Sequence, residues 1–160
     1  IDYKFKDRKL LELALTAPVK SQPSSPNYNR LEYLGDAVME VVAIQVWMNK
    51  GVIAGAAKKT EDTACNRALQ AVCIAAGLHN HIKKCEGKKP RIKAIKAAYD
   101  VLEPKSPNKA YWLQGAACKT LGDVVESVYG AVFLDSGLRL SAVEGVFKRI
   151  HWPIVERRLA

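Results

Sequence analysis

The chain has 160 residues, is 49% hydrophobic and carries a formal net charge of +9 at pH 7, proportions that suit a single domain over residues 1–160 with a substantial core. No segment reaches the ~18 consecutive apolar residues that cross a bilayer, and the opening I-D-Y-K-F-K lacks a signal-peptide pattern, so we expect the chain itself to be soluble. The chain starts and stops abruptly, so we expect a domain excised from a longer protein.

In chain order the pattern is helical nearly throughout. Asp7 is placed to cap a first helix over Leu10, Leu11 and Leu13, and P-S-S-P-N from Pro23 to Asn27 reads as a loop. A helix from about Arg30 to Asn49 follows, apolar around most of its circumference and therefore expected at the centre of a bundle. Gly51 and Gly55 interrupt the pattern before a helix over Asn66 to Ala76 that ends near Gly77. Pro90 opens an amphipathic stretch containing Ile92, Ile95 and Tyr99, which Pro104 and Pro107 close. Two more helices, about Ala116 to Leu134 and about Ser141 to Arg158, complete an all-α bundle with negligible β content and no internal repeat.

Two of these helices carry paired carboxylates. Glu32 and Asp36 lie four residues apart in N-R-L-E-Y-L-G-D, and Asp123 and Glu126 three apart in G-D-V-V-E, so each pair projects from one face of its helix. The repulsion within a pair is only ~0.2–0.5 kcal/mol on a solvated helix, but it grows where neighbours exclude water. Leu31, Leu34, Val38, Val41, Val42 and Ile44 should do so for the first pair, and Val124, Val125, Val128, Ala131 and Val132 for the second. An isolated pair of this kind is most often a solvated face. Two pairs call for a positive charge between them, and hard divalent cations prefer such oxygen ligands. Glu40 continues the first stripe and reads as solvated.

The charge is unevenly placed. Lys83, Lys84, Lys88, Lys89, Arg91, Lys93, Lys96, Lys105 and Lys109 are opposed within their span only by Glu86, Asp100 and Glu103, so this segment supplies six of the nine net charges. Such a cluster suits a polyanion, and with few large apolar residues to enter lipid it is better matched to RNA phosphates than to a membrane. Lys88, Lys89, Arg91 and Lys93 are the candidate contacts. Lys119, one turn before Asp123, either holds the acidic cluster or a phosphate, or is simply an exposed lysine at a helix start. Cys65, Cys73, Cys85 and Cys118 have no C-x-x-C spacing and His79, His81 and His151 no H-x-x-x-H pair, so no zinc motif is present. Reduced thiols fit a cytoplasmic protein, with the nucleus as the alternative.

The segment R-L-E-Y-L-G-D-A-V-M-E, from Arg30 to Glu40, resembles the signature of the ribonuclease III family. Tyr3 to Thr16 is similar to that family's first helix, and K-T-L-G-D-V-V-E-S-V-Y-G-A-V-F-L-D-S-G, from Lys119 to Gly137, to its second acidic motif. The basic stretch and the L-D-S-G ending look most like the second ribonuclease III domain of Dicer-like proteins. The resemblance implies an all-α endoribonuclease that hydrolyses RNA phosphodiesters, double-stranded RNA by family expectation, in RNA processing or silencing. It also implies Mg²⁺, or Mn²⁺ in its place, with Glu32, Asp36, Asp123 and Glu126 as ligands, Glu126 and Glu32 the most direct. One metal would activate a water and a second, about 4 Å away, would stabilise the leaving 3′ oxygen. A homodimer is implied too, with Tyr33 at the aromatic position that packs into the partner subunit rather than into the core, and RNA-binding modules lying outside the chain.

Two departures oppose this. Relatives carry T-H-x-S where this chain has Thr16, Ala17, Pro18 and Val19, and Cys65 takes the place of an asparagine, in a register open by one residue. They motivate an alternative: a variant that cleaves single-stranded RNA or only binds duplexes, in which an oxidised pair of Cys65 and Cys118 would shift the second acidic helix.

Overall fold

The computed structural model describes residues 1–52, 54–105 and 117–159, the side chains of Arg157 and Arg158 excepted. Helix α1 (Arg8–Ala14) begins where the Asp7 carboxylate accepts the Lys9 amide at 2.9 Å, the expected cap. The others are α2 (Asn29–Asn49), α3 (Ala56–Ala64), α4 (Asn66–Ala75), α5 (Lys89–Lys105), α6 (Lys119–Asp135), α7 (Leu140–Ile150) and α8 (Trp152–Leu159), with two 3₁₀ turns between α4 and α5. Among the described residues β pairing is limited to one isolated bridge between Thr16 and Lys83. The all-α expectation holds.

The central helix is α6, not α2. Every α6 residue from Thr120 to Val132 is buried, whereas α2 leaves Tyr33, Ala37, Val41, Ile44 and Met48 exposed along one side. Val41 and Ile44 therefore do not screen the first acidic pair from water as expected. An apolar circumference means burial only where a neighbour covers each side, and here one side of α2 is uncovered. What α2 does cover is α6, at extreme proximity: a Cβ on Gly35 would lie 1.7 Å from the Glu126 carbonyl oxygen, and one on Gly130 would lie 2.2 Å from that of Leu31. The two backbones touch reciprocally, closer than the ~8–10 Å between axes that side chains normally impose.

The remaining boundaries differ from expectation for local reasons. Helix α5 runs one residue beyond Pro104, while Pro107 lies outside the described residues. Helix α6 starts at Lys119, after Cys118, whose amide donates to the Gln70 side chain at 2.8 Å. The last predicted helix is two, broken at His151. Pro153 explains the break: it has no amide hydrogen and its ring excludes the carbonyl a turn earlier, so it is tolerated only in the first turn of a new helix.

The break buries His151 completely between Tyr129, whose hydroxyl is 3.1 Å from Nδ1, and the Thr63 carbonyl, 3.0 Å from Nε2. Both contacts suit a neutral ring that donates from Nε2 and accepts at Nδ1, and burial lowers its pKa from 6.5 to about 4. The folded pKa lies below the unfolded one, so the stability this ring contributes is complete above pH 6.5 and declines as pH falls towards 4. The full loss is on the order of 3 kcal/mol. Thermal unfolding between pH 7 and 4.5 should show this slope, and His151→Gln should flatten it; an unchanged slope in the variant would assign the loss to other groups.

Candidate metal centre

The crossing of α2 and α6 places the carboxylates. Glu32 follows Leu31, whose carbonyl touches Gly130, and Glu126 is the residue whose carbonyl touches Gly35, so the backbone contact sets both acids across a short gap. One oxygen each from Glu32, Asp123 and Glu126 lies within 4.8 Å of the other two. Asp123 and Glu126 are buried, at 5% and 8% exposure, and Glu32 is half-buried. Asp36 is exposed on the same cleft and falls outside this triplet, although its charge acts on Glu126.

Burial, reinforced by the charges of Asp36, Asp123 and Glu32, pushes the Glu126 carboxyl up to about 8, against an opposing pull from Lys119. The Lys119 ammonium bridges the two helices, donating to Glu32 at 2.6 Å and also to Asp123. The positive charge anticipated between the acidic pairs is thus supplied, in the protein alone, by Lys119, which is no idle surface lysine. Oxygen donors only, a carboxyl that burial and neighbouring acids hold protonated and an ammonium already drawn in are the features of a site suited to a hard divalent metal.

Tyr28, which sequence reasoning did not single out, orients this cluster. It is 1% exposed, and its hydroxyl donates to Asp123 Oδ2 at 3.0 Å. Burial and the Asp123 charge hold its phenol well above the ordinary value, so it remains a donor. The Tyr28 amide donates to the Thr16 carbonyl, and the Ala17 amide to Lys83, both at 3.0 Å. The departing segment Thr16 to Val19 is therefore the brace behind Tyr28. The cleft itself, of about 560 Å³, is lined by these acids, Lys119, Tyr28, Pro18, Asn29, Tyr33, Thr120 and Lys88.

The model of the ribonuclease III domain matches residues 29–137, a span that contains α2, α6 and every acid of the cleft. The chain belongs to the ribonuclease III family. It is 31% identical over 156 residues to the protein Dicer of Schizosaccharomyces pombe, covering 91% of this chain and 11% of that protein. It is 33% identical over 159 residues to endoribonuclease Dicer homolog 4 of Oryza sativa subsp. japonica, covering 97% and 9%. This ribonuclease III domain thus spans about a tenth of the length of those relatives. Its fold is similar to the nuclease domain of ribonuclease III from Campylobacter jejuni, a protein described for flexibility in a region involved in dimer formation, with a TM-score of 0.70 at 22% identity over 96% of this chain and 92% of that one.

The other expected site residues of this ribonuclease III domain separate. Lys88 reaches the cleft, but Lys89 and Lys93 line a different groove, and Arg91 donates to the Ala117 carbonyl at 2.8 Å, tying α5 to the start of α6. Lys109 lies outside the described residues. Tyr33 is 85% exposed, so it is not a core residue. The Asn66 side chain presses on α6 over Gly122, where a Cβ would meet its oxygen at 2.5 Å, while Cys65 faces the groove between α2 and α3 and donates to the Asp62 carbonyl at 3.4 Å. All four cysteines are free, and Cys118 sits near Cys73, whose buried thiol it helps to raise, so the imagined pair with Cys65 is not formed.

Proposed function

We propose that the chain is a divalent-metal-dependent endoribonuclease domain, with Mg²⁺ as its ion and Mn²⁺ as a substitute, hydrolysing phosphodiester bonds of double-stranded RNA in RNA processing or silencing. The observation that carries this is the convergence of Glu32, Asp123 and Glu126 in an open cleft, with Lys119 bonded to the first two and Lys88 at the edge. Glu32, Asp123 and Glu126 would hold the metal, with Asp36 completing the acidic set towards solvent. Bound there, the metal supplies activation of a water and stabilisation of the leaving 3′ oxygen. Tyr28 keeps the Asp123 carboxylate aimed into the cleft, Glu126 gives up its proton as the site is loaded, and Lys88 and Lys119 offer ammonium groups to the strand.

A homodimer is part of the proposal, supported by the uncovered stripe of α2 that starts at Tyr33 beside the cleft. Tyr33→Ala should convert a sedimenting dimer to monomer at micromolar concentration, since aromatic anchors dominate such contacts. An unaltered chain that sediments as a monomer would argue against it. Labelled single- and double-stranded RNA, each incubated with the purified protein in Mg²⁺ or chelator, tests the activity: we expect duplex cutting that the chelator stops. Cutting of the single strand alone, or duplex binding without cutting, would favour the variant reading, and cleavage indifferent to chelator would remove the metal from the mechanism.

A further inference from the structure

The two oxygens of the Asp123 carboxylate are held by partners of different kinds. Oδ1 accepts from Lys119, whose side chain is 68% exposed and lines the open cleft. Oδ2 accepts from the Tyr28 hydroxyl at 3.0 Å, in the buried interior. A solvated ammonium withdraws from its carboxylate at little cost. A packed phenol does not.

Several contacts fix that phenol in place. The Tyr28 carbonyl accepts the Glu32 amide at 2.8 Å, and the Tyr28 amide donates to the Thr16 carbonyl at 3.0 Å, so its backbone is tied both to the helix of the first acidic pair and to the segment behind it. The buried hydroxyl of Thr120, one turn before Asp123 on α6, donates to the phenol oxygen. With its oxygen so occupied, the phenol commits its proton to Asp123. Turning Asp123 to offer both oxygens to the cleft would strand a buried hydroxyl without an acceptor, and enclosed unpaired donors are costly. Asp123 therefore has one oxygen to give, Oδ1, which becomes free when Lys119 withdraws.

That restriction bears on which ion the cleft accepts. Mg²⁺ demands a near-octahedral shell, retains several waters and is served by one oxygen from a carboxylate, whereas Ca²⁺ takes a larger and looser shell in which one carboxylate often gives both oxygens. We propose that Tyr28 is a positioning residue that determines ion specificity: by holding Asp123 Oδ2 it denies the site a two-oxygen carboxylate, and so favours small divalent cations over Ca²⁺. The proposal rests on the metal-dependent reading of the cleft and goes beyond it, because it assigns the choice of ion to a residue that is not itself a ligand.

The test uses the full chain without RNA. Bound Mn²⁺, followed by its effect on water-proton relaxation, is displaced by Mg²⁺ and by Ca²⁺ in separate titrations. Both competitors are measured against the same reporter, so the ratio of their affinities does not depend on how a substitution alters Mn²⁺ binding. Tyr28→Phe, which keeps the ring and removes the hydroxyl, should raise the calcium-to-magnesium affinity ratio about tenfold. Thr120→Val, which takes away the donor that orients the phenol, should raise it roughly two- to fivefold; it carries the test if Tyr28→Phe does not melt cooperatively. A purely structural role would weaken both ions alike. An unchanged ratio in Tyr28→Phe, or in Thr120→Val where the first variant does not fold, would overturn the proposal and leave the metal centre standing. Absence of Mn²⁺ binding by the unaltered chain would overturn the metal reading, and this one with it.

Discussion

Glu126→Gln is expected to lower RNA cleavage by roughly a hundredfold to a thousandfold or more, the loss of several kcal/mol of charge stabilisation at the metal. Glutamine keeps the volume of the side chain and one oxygen, so the 8% exposed site should stay packed. It removes the charge on which loading depends. The variant should even be the more stable protein without metal, by a margin that grows from pH 4.5 and is complete above about 8, because burial and the neighbouring acids oppose ionisation of Glu126 in the fold but not in the unfolded chain. The unaltered protein supplies a second readout that needs no RNA. Its Glu126 carboxyl, pushed up to about 8, holds a proton at neutral pH that a divalent cation must expel. Metal affinity should therefore rise with pH up to about 8, with proton release detectable as a buffer-dependent heat of binding. Wild-type cleavage by the variant, or metal affinity flat across that range, would contradict the role given to Glu126.

Gly35→Ala is expected to be the most damaging small substitution in the protein. A methyl group there would lie 1.7 Å from the Glu126 carbonyl oxygen, and since that atom belongs to the backbone of a buried helix, no side-chain rotation relieves the clash. The helices must separate. Overpacking of this kind costs ~1–3 kcal/mol or more, which at this size lowers the melting temperature by about 2–4 °C per kcal/mol. Separation by ~1 Å would also cost about a hundredfold in rate by misplacing the acids. Gly145→Ala is the control. It lies exposed within α7 with nothing within 4 Å of its Cβ position, so it should stabilise by roughly 0.5–1 kcal/mol. If the two variants melt alike, the reciprocal contact of Gly35 and Gly130 is not what holds the acidic helices together.

These expectations mark the boundary between what is readable along the chain and what is not. Helix content, the Asp7 cap and both acidic motifs are legible because they depend on spacing within about one turn, where 3.6-residue periodicity acts directly on the order of residues. The family signature is legible for the same reason: its acids and its glycine occupy one short segment. The sequence by itself thus determined the class of fold, the family and the two acidic pairs that meet at the cleft.

What lies across the chain was decided only by packing. Apolar residues around α2 look the same whether a neighbour covers them or not, so the order of residues could not say that α6 is the buried helix and that a stripe of α2 is left bare. Lys119 had the composition of a surface lysine, and only the approach of Glu32 from another helix makes it the bridging cation of the cleft. Tyr28 is a loop-end tyrosine until Asp123, 95 positions away, accepts its hydroxyl. The basic segment read as one patch, yet Lys88 ends a 3₁₀ turn and Lys89 begins α5, so their side chains diverge into different cavities. For the burial of α6, for Lys119 and for Tyr28 the deciding quantity is a distance between atoms remote in sequence, and two glycines that let α2 and α6 touch set the one between Lys119 and Glu32.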